Sequence, residues 1–126
     1  MAVRPEDILN SVTAWKGIAN DEAGYRSCIS RYYYAGYHAA IRFHGQLAYP
    51  GQSKANVGEH ENLINKLFYP NAANSDSDNQ LSKEISQYLK KVLFNRRLAD
   101  YELNKQVTIK NVEISESQIL LIFNPN

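Results

Sequence analysis

The chain has a single cysteine, Cys28, so no disulfide can form within it. One lone thiol suits a reducing compartment. There is no long apolar run. The longest, "ILLIF" at Ile119 to Phe123, is far short of the roughly 20 residues a membrane helix needs. The opening stretch "MAVRPEDILNSV" carries charges where a signal peptide needs an apolar segment. A cytoplasmic location without membrane contact is therefore expected. Charge of one sign is missing too: 14 basic against 13 acidic residues leave a formal +1. That excludes global attraction to nucleic acid and leaves only a local patch. Three scattered histidines and one cysteine show no metal-ligand spacing, and no phosphate-loop or dinucleotide glycine pattern occurs. No metal and no cofactor are expected. Internal repeats and low-complexity tracts are also lacking.

What is present is an ordinary globular composition, 44% hydrophobic over 126 residues, with nine tyrosines against four phenylalanines. The length suits one domain spanning residues 1–126. Tyrosine joins an apolar ring to a polar tip, which suits interfaces and wet clefts. "RPEDILNSVTAWKGIA" reads as a first helix, with Pro5 early and Glu6 and Asp7 in the first turn. Asn20 or Asp21 can cap a second helix, roughly Glu22 to Ala48. At 100° per residue, Tyr25, Ile29, Tyr32, Tyr33, Gly36, Ala40, Phe43 and Leu47 gather on one side of it. Ser27, Arg31, Tyr34, His38 and Arg42 gather opposite, as solvated surface or as one wall of a cleft.

"YPGQSKANVG" reads as a loop, "EHENLINKLFY" as a short helix, and "PNAANSDSDN" as a second polar loop. A third long helix is expected from about Gln80 to Leu103. Its apolar stripe of Leu81, Ile85, Tyr88, Leu89, Val92, Ala99 and Leu103 takes in Arg96. Asp100 follows Arg96 by four residues, the spacing of an ion pair along one helix face. "QVTIKNVEIS" is open between a short extended pair around Lys110–Asn111 and a plain connection. Ser115 with Gln118 has the pattern of a capping box, placing a last helix at "ESQILLIFN".

Three stretches share a resemblance. "SRYYYAGYHAA" (Ser30 to Ala40) resembles the second-helix signature of HEPN-domain proteins. "NRRLADYEL" (Asn95 to Leu103) resembles the late-helix motif of one HEPN branch, an arginine, then variable or small residues, then Asp-Tyr. His60, opening the short helix, resembles a histidine often found there in that branch. The three occur in order and cover the chain from about residue 5 to 122. The resemblance implies an all-α, up-and-down bundle of four main helices plus one short helix, HEPN-like, that forms a homodimer. It further implies action on RNA, as a metal-independent endoribonuclease or toxin, or as an antiviral defence effector. A minimal nucleotidyltransferase or another defence-operon protein is the implied partner. The alternative is a non-catalytic module that binds RNA, a nucleotide or such a protein. Active members place a histidine four to six residues after the arginine. Here Asp100 and Tyr101 stand in that region instead.

The candidate chemistry follows from residue types. Metal-free RNA cleavage needs one group to take the 2′-hydroxyl proton and another to protonate the leaving 5′-oxygen. It also needs positive charge on the phosphate. Arg96 can supply the charge, or can be a structural arginine paired with Asp100. His38, His60 and Tyr101 are candidates for proton transfer or hydrogen bonding. Arg31, Tyr34, Arg42, Arg97 and Asp100 are candidates for binding, with Tyr34 able to stack on a base. Lys90, Lys91, Arg96 and Arg97 form a local basic cluster.

Overall fold

The computed structural model describes residues 3–52 and 57–125. Residues 53–56, inside the expected first loop, lie outside the described residues. Among the described residues all regular structure is helical: α1 (Pro5–Lys16), α2 (Glu22–Gln46), α3 (Glu59–Phe68), α4 (Asp76–Tyr101) and α5 (Ile109–Phe123). They pack as a bundle of four main helices and one short one. α2 is its centre, touching each of the other four; α4 also packs on α3 and α5. Among the described residues no helix is long and apolar enough to cross a membrane.

α1, α2, α4 and α5 each begin where a side chain can satisfy an amide of the helix start, whereas α3 starts from Gly58 without one. Pro5 opens α1, and Asp7 accepts from the Arg4 backbone N–H at 2.9 Å. Asp21 caps α2, its Oδ1 accepting from Gly24 N–H at 2.7 Å. Ser75 caps α4 through the N–H of Asp78, with Asp76 and Asp78 favoured by the dipole of the first turn. The expected second polar loop therefore ends early. "SDSDN" is the cap and first turn of α4, not a loop. Serine and aspartate are poor helix formers in general but favoured at this position.

The last helix corrects a second expectation. α5 starts at Ile109, not after Ser115. Thr108 is its N-cap, and Asn111 Oδ1 accepts from the Thr108 backbone N–H at 3.0 Å. Two Ser/Thr-x-x-polar patterns compete in this stretch, and the earlier one wins because it buries Val112. Ser115 lies fully buried inside α5, where its hydroxyl accepts from Asn95 Nδ2 at 3.2 Å. The β-branched residues of 107–114 make no extended pair; they are a helix start.

The core is built on the inward face of α2. Cys28, Ile29, Tyr32, Tyr33, Ala35 and Ala40 are buried there against Ile85, Leu89 and Val92 of α4 and Val112, Ile119 and Ile122 of α5. Gly36 sets how closely α5 can approach. A Cβ at that position would lie 2.2 Å from Ile119 Cδ1. Gly51 has a similar role at the end of α3, where a Cβ would fall 2.8 Å from the Lys66 carbonyl oxygen. The Gly51 carbonyl in turn lies 3.0 Å from His44 Nε2.

Leu103 leaves the inward stripe to which its spacing assigned it. It lies beyond the end of α4 and is 75% exposed. The chain turns there because a buried arginine from α2 terminates α4. Arg26 is only 9% exposed. Its Nη1 donates to the carbonyls of Leu98 and Ala99 at 3.1 and 2.9 Å. Its Nη2 donates to those of Glu102 (3.2 Å) and Lys105. Nε donates to Glu22 at 3.1 Å, and Glu22 also accepts from Val107 N–H. α4 has no basic residue in its own last turn, so a cation from a neighbouring helix neutralises its negative end.

Candidate functional site

The arginine buried in the core is thus Arg26, and Arg96 occupies a different setting. Arg96 sits on α4 at the edge of the inward stripe, with its side chain 23% exposed. Asp100, one turn on, pairs with it through Oδ2 at 2.9 Å from Nε. The same oxygen accepts from Ser30 of α2 at 3.3 Å. Among the described residues neither Nη of Arg96 makes a hydrogen bond. The guanidinium carbon lies 5.8 Å from the centre of the Tyr33 ring and 5.5 Å from that of Tyr101. Asp100 holds the charge in place by one edge, while two aromatic rings flank the remainder.

Tyr33 continues the site inward. Its Oη makes a 2.8 Å hydrogen bond with Nδ1 of His60, the second residue of α3. Burial pushes the Tyr33 phenol well above its ordinary range, so it keeps its proton. His60 is pushed down, first by burial and then by the positive charge of Arg96, with Arg97 adding to this. At neutral pH the imidazole is therefore uncharged and able to accept a proton.

A chain of ring contacts runs on from this pair. Tyr37 lies 4.7 Å from His60 and 5.9 Å from Tyr33. His38 meets Tyr37 edge-on at 5.4 Å and Tyr34 edge-on at 4.4 Å. Arg31 ends the series 6.0 Å from the Tyr34 ring. The order is Arg31, Tyr34, His38, Tyr37, His60, Tyr33, Arg96, with Asp100 and Tyr101 beside the last. The α2 members pass round the helix from its exposed side (Arg31, Tyr34, His38) to its buried side (Tyr37, Tyr33), so a single helix supplies most of the series.

Seven sequence-level candidates therefore come together: Arg31, Tyr34, His38, His60, Arg96, Asp100 and Tyr101. Two do not join them. Arg42 is held by both carboxylate oxygens of Glu6, at 2.8 and 2.5 Å. That pairing drives the Glu6 carboxyl down to about 2, with the hydrogen bonds from Arg42 the largest cause. Arg97, among the described residues, has no contact with a ring of the series and pairs with Glu61 at 2.9 Å on the exposed α3–α4 surface. Reasoning from sequence missed Tyr33, which falls on the inward face and reads as core, and Tyr37, which it assigned to neither face; both are buried. It missed Arg26 as well. Its signal was available: Arg26 precedes Ile29 by three residues and Tyr33 by seven, which puts it on the buried face.

Two open grooves adjoin the series. One of about 700 Å³, between α1, α2 and α4, is lined by Trp15, Ser27, Ser30, Arg31 and Asp100 among others. A second, of about 490 Å³, lies along α1 and α2 past Tyr34 and His38. Arg31 lines both.

No protein-family model, no curated protein and no solved structure matches this chain.

Proposed function

We propose that the chain is an HEPN-type helical module that acts on RNA through the Arg96 cluster, as a metal-independent endoribonuclease of a toxin or defence system. The observation that carries this reading is the state of Arg96. It is fixed by Asp100 through one edge, flanked by two tyrosines, and keeps both Nη groups without a hydrogen bond among the described residues. Such a guanidinium is preorganised for two oxygens of a phosphate. Three of the residues around it, Ser30, Tyr33 and His60, come from the stretches that carry the resemblance.

The chemistry assigned to the cluster is internal transesterification. The 2′-oxygen attacks phosphorus as the bond to the 5′-oxygen breaks, leaving a cyclic phosphate and a 5′-hydroxyl. His60 accepts the 2′-hydroxyl proton when Nδ1–H is directed at Tyr33, which leaves the Nε2 lone pair available. Arg96 stabilises charge on the phosphoryl oxygens. Tyr101, 68% exposed beside Arg96, donates a hydrogen bond to the departing 5′-oxygen, which takes its proton from water or from His38. A homodimer would bring two such clusters to one cleft. Light scattering is then expected to give roughly twice 14.4 kDa.

A specific observation favours a second reading, a non-catalytic module that binds RNA, a nucleotide or a nucleotidyltransferase partner. The position after Arg96 that holds histidine in active members is taken here by Asp100, whose carboxylate already neutralises the arginine. One experiment separates the two. Purified protein is incubated with total RNA in EDTA beside the Arg96→Ala variant. Cleavage that disappears in the variant supports the nuclease. Arg96-dependent binding without cleavage supports the module, and the absence of both sinks the RNA reading.

A further inference from the structure

We infer that the α1–α2 face carries a two-nucleotide subsite for single-stranded RNA, adjoining the Arg96 cluster at Ser30 and Asp100, with Trp15 and Tyr34 as stacking platforms and Arg31 as the phosphate anchor between them. The inference rests on the RNA reading for the identity of the polymer, and on three independent features of this face for the site itself.

The first feature is the pair of grooves. At about 700 and 490 Å³ they lie within the range that holds small organic ligands. They share a wall at Arg31. The second feature is Arg31. The other arginines all have carboxylate partners: Arg4 with Asp7, Arg26 with Glu22, Arg42 with Glu6, Arg96 with Asp100 and Arg97 with Glu61. Among the described residues Arg31 has none. It is exposed, and among the described residues its one ring contact is with Tyr34. A cation left uncompensated where two grooves meet suits a bridging anion.

The third feature is the aromatic flanks. Trp15, the one tryptophan of the chain, is 52% exposed on the wall of the larger groove. Tyr34, 45% exposed, lines the smaller one and is braced edge-on by His38. An indole and a phenol on either side of a guanidinium reproduce the alternation of a strand, base then phosphate then base. Ser27 also lines the larger groove, as do Ser30 and Asp100, whose Oδ2 is already shared by Ser30 and Arg96, so Ser27 offers a hydroxyl to which a base edge can hydrogen-bond. Stacking on both platforms requires unpaired bases, so a duplex is excluded from the subsite.

The test uses Trp15 itself. Its fluorescence, excited at the red edge where tyrosine does not absorb, is followed as a mixed-sequence RNA hexamer is added. The same titration is run with the hexamer annealed to its complement and with single nucleoside monophosphates. Saturable quenching by the single strand, and weaker quenching by the duplex, is expected. Quenching by the monophosphates would show that the subsite also takes free nucleotides. Anisotropy of a labelled hexamer then reads the variants. Trp15→Ala is expected to weaken binding at least about fivefold, with Trp15→Phe retaining most of it. Arg31→Ala is expected to weaken binding and flatten its salt dependence. No quenching, equal binding of duplex, or wild-type affinity in both Trp15→Ala and Arg31→Ala overturns the subsite. The Arg96→Ala variant keeps the two readings distinguishable. If it loses cleavage while Trp15 quenching persists, both stand. If Trp15 and Arg31 prove irrelevant while cleavage still depends on Arg96, only the subsite falls.

Discussion

At the scale of single residues, three arginines of similar sequence context have three different settings, and burial decides what each does. Arg26 serves four backbone carbonyls at the end of α4. Replacing it with methionine leaves those oxygens without their donor and is expected to destabilise the fold by about 3 kcal/mol. That corresponds to a melting temperature lower by roughly 10 °C in a chain of this size. Arg97→Ala breaks an exposed pair and is expected to stay within about 0.5 kcal/mol of wild type in the same thermal melt. Arg96 acts through charge. Its field helps hold His60 below the ordinary histidine value, so Arg96→Met is expected to raise the His60 pKa, read from the ring proton shifts by NMR. The sign of the stability effect follows. His60 is harder to protonate folded than unfolded, so its contribution is complete above the unfolded value of about 6.5 and declines as pH falls below it. The Arg96→Met chain should show less of that acid decline.

At the scale of elements, the approach of α2 to α5 depends on Gly36 and Ile119. Gly36→Ala gains helix propensity of about 1 kcal/mol. It also drives a methyl group into Ile119 Cδ1, so a net loss of about 1–2 kcal/mol is expected in urea unfolding. Ile119→Val removes that atom and alone costs about 1 kcal/mol. The double variant is expected to lose less than the sum, with a coupling of about 1 kcal/mol; strict additivity would contradict the contact. This packing was legible in the sequence, since Gly36 falls among alanines on the apolar side of a long periodic helix. The inward tyrosines, the cap at Asp21 and the separation of Arg31, Tyr34 and His38 from the core were legible for the same reason. The start of α5 was not. Thr108 and Ser115 both carry cap-like spacing, and only tertiary burial of Val112 and Ser115 chooses between them. Nor was the end of α4 legible, because the group that terminates it lies about 75 residues away on α2. Long-range capping leaves no local pattern to read.

At the scale of the whole molecule, one bundle carries an aromatic–histidine series on α2 and α3 with an arginine at each end. Arg31 faces two grooves and Arg96 faces the tyrosines at the end of α4. With a net charge near zero, any attraction for a polyanion must come from local arrangements such as this one. The proposed function assigns the action on phosphate to Arg96 and not to basic charge in general. Arg96 and Arg97 are adjacent, equally charged and each paired with one carboxylate, so they form a matched comparison. The decisive measurement is the single-turnover rate of cleavage of a defined single-stranded RNA in EDTA by wild type, Arg96→Ala and Arg97→Ala. A loss of about 10²–10³ is expected for Arg96→Ala and a change of less than about threefold for Arg97→Ala. Equal losses in the two variants, or a wild-type rate in Arg96→Ala, would contradict that assignment.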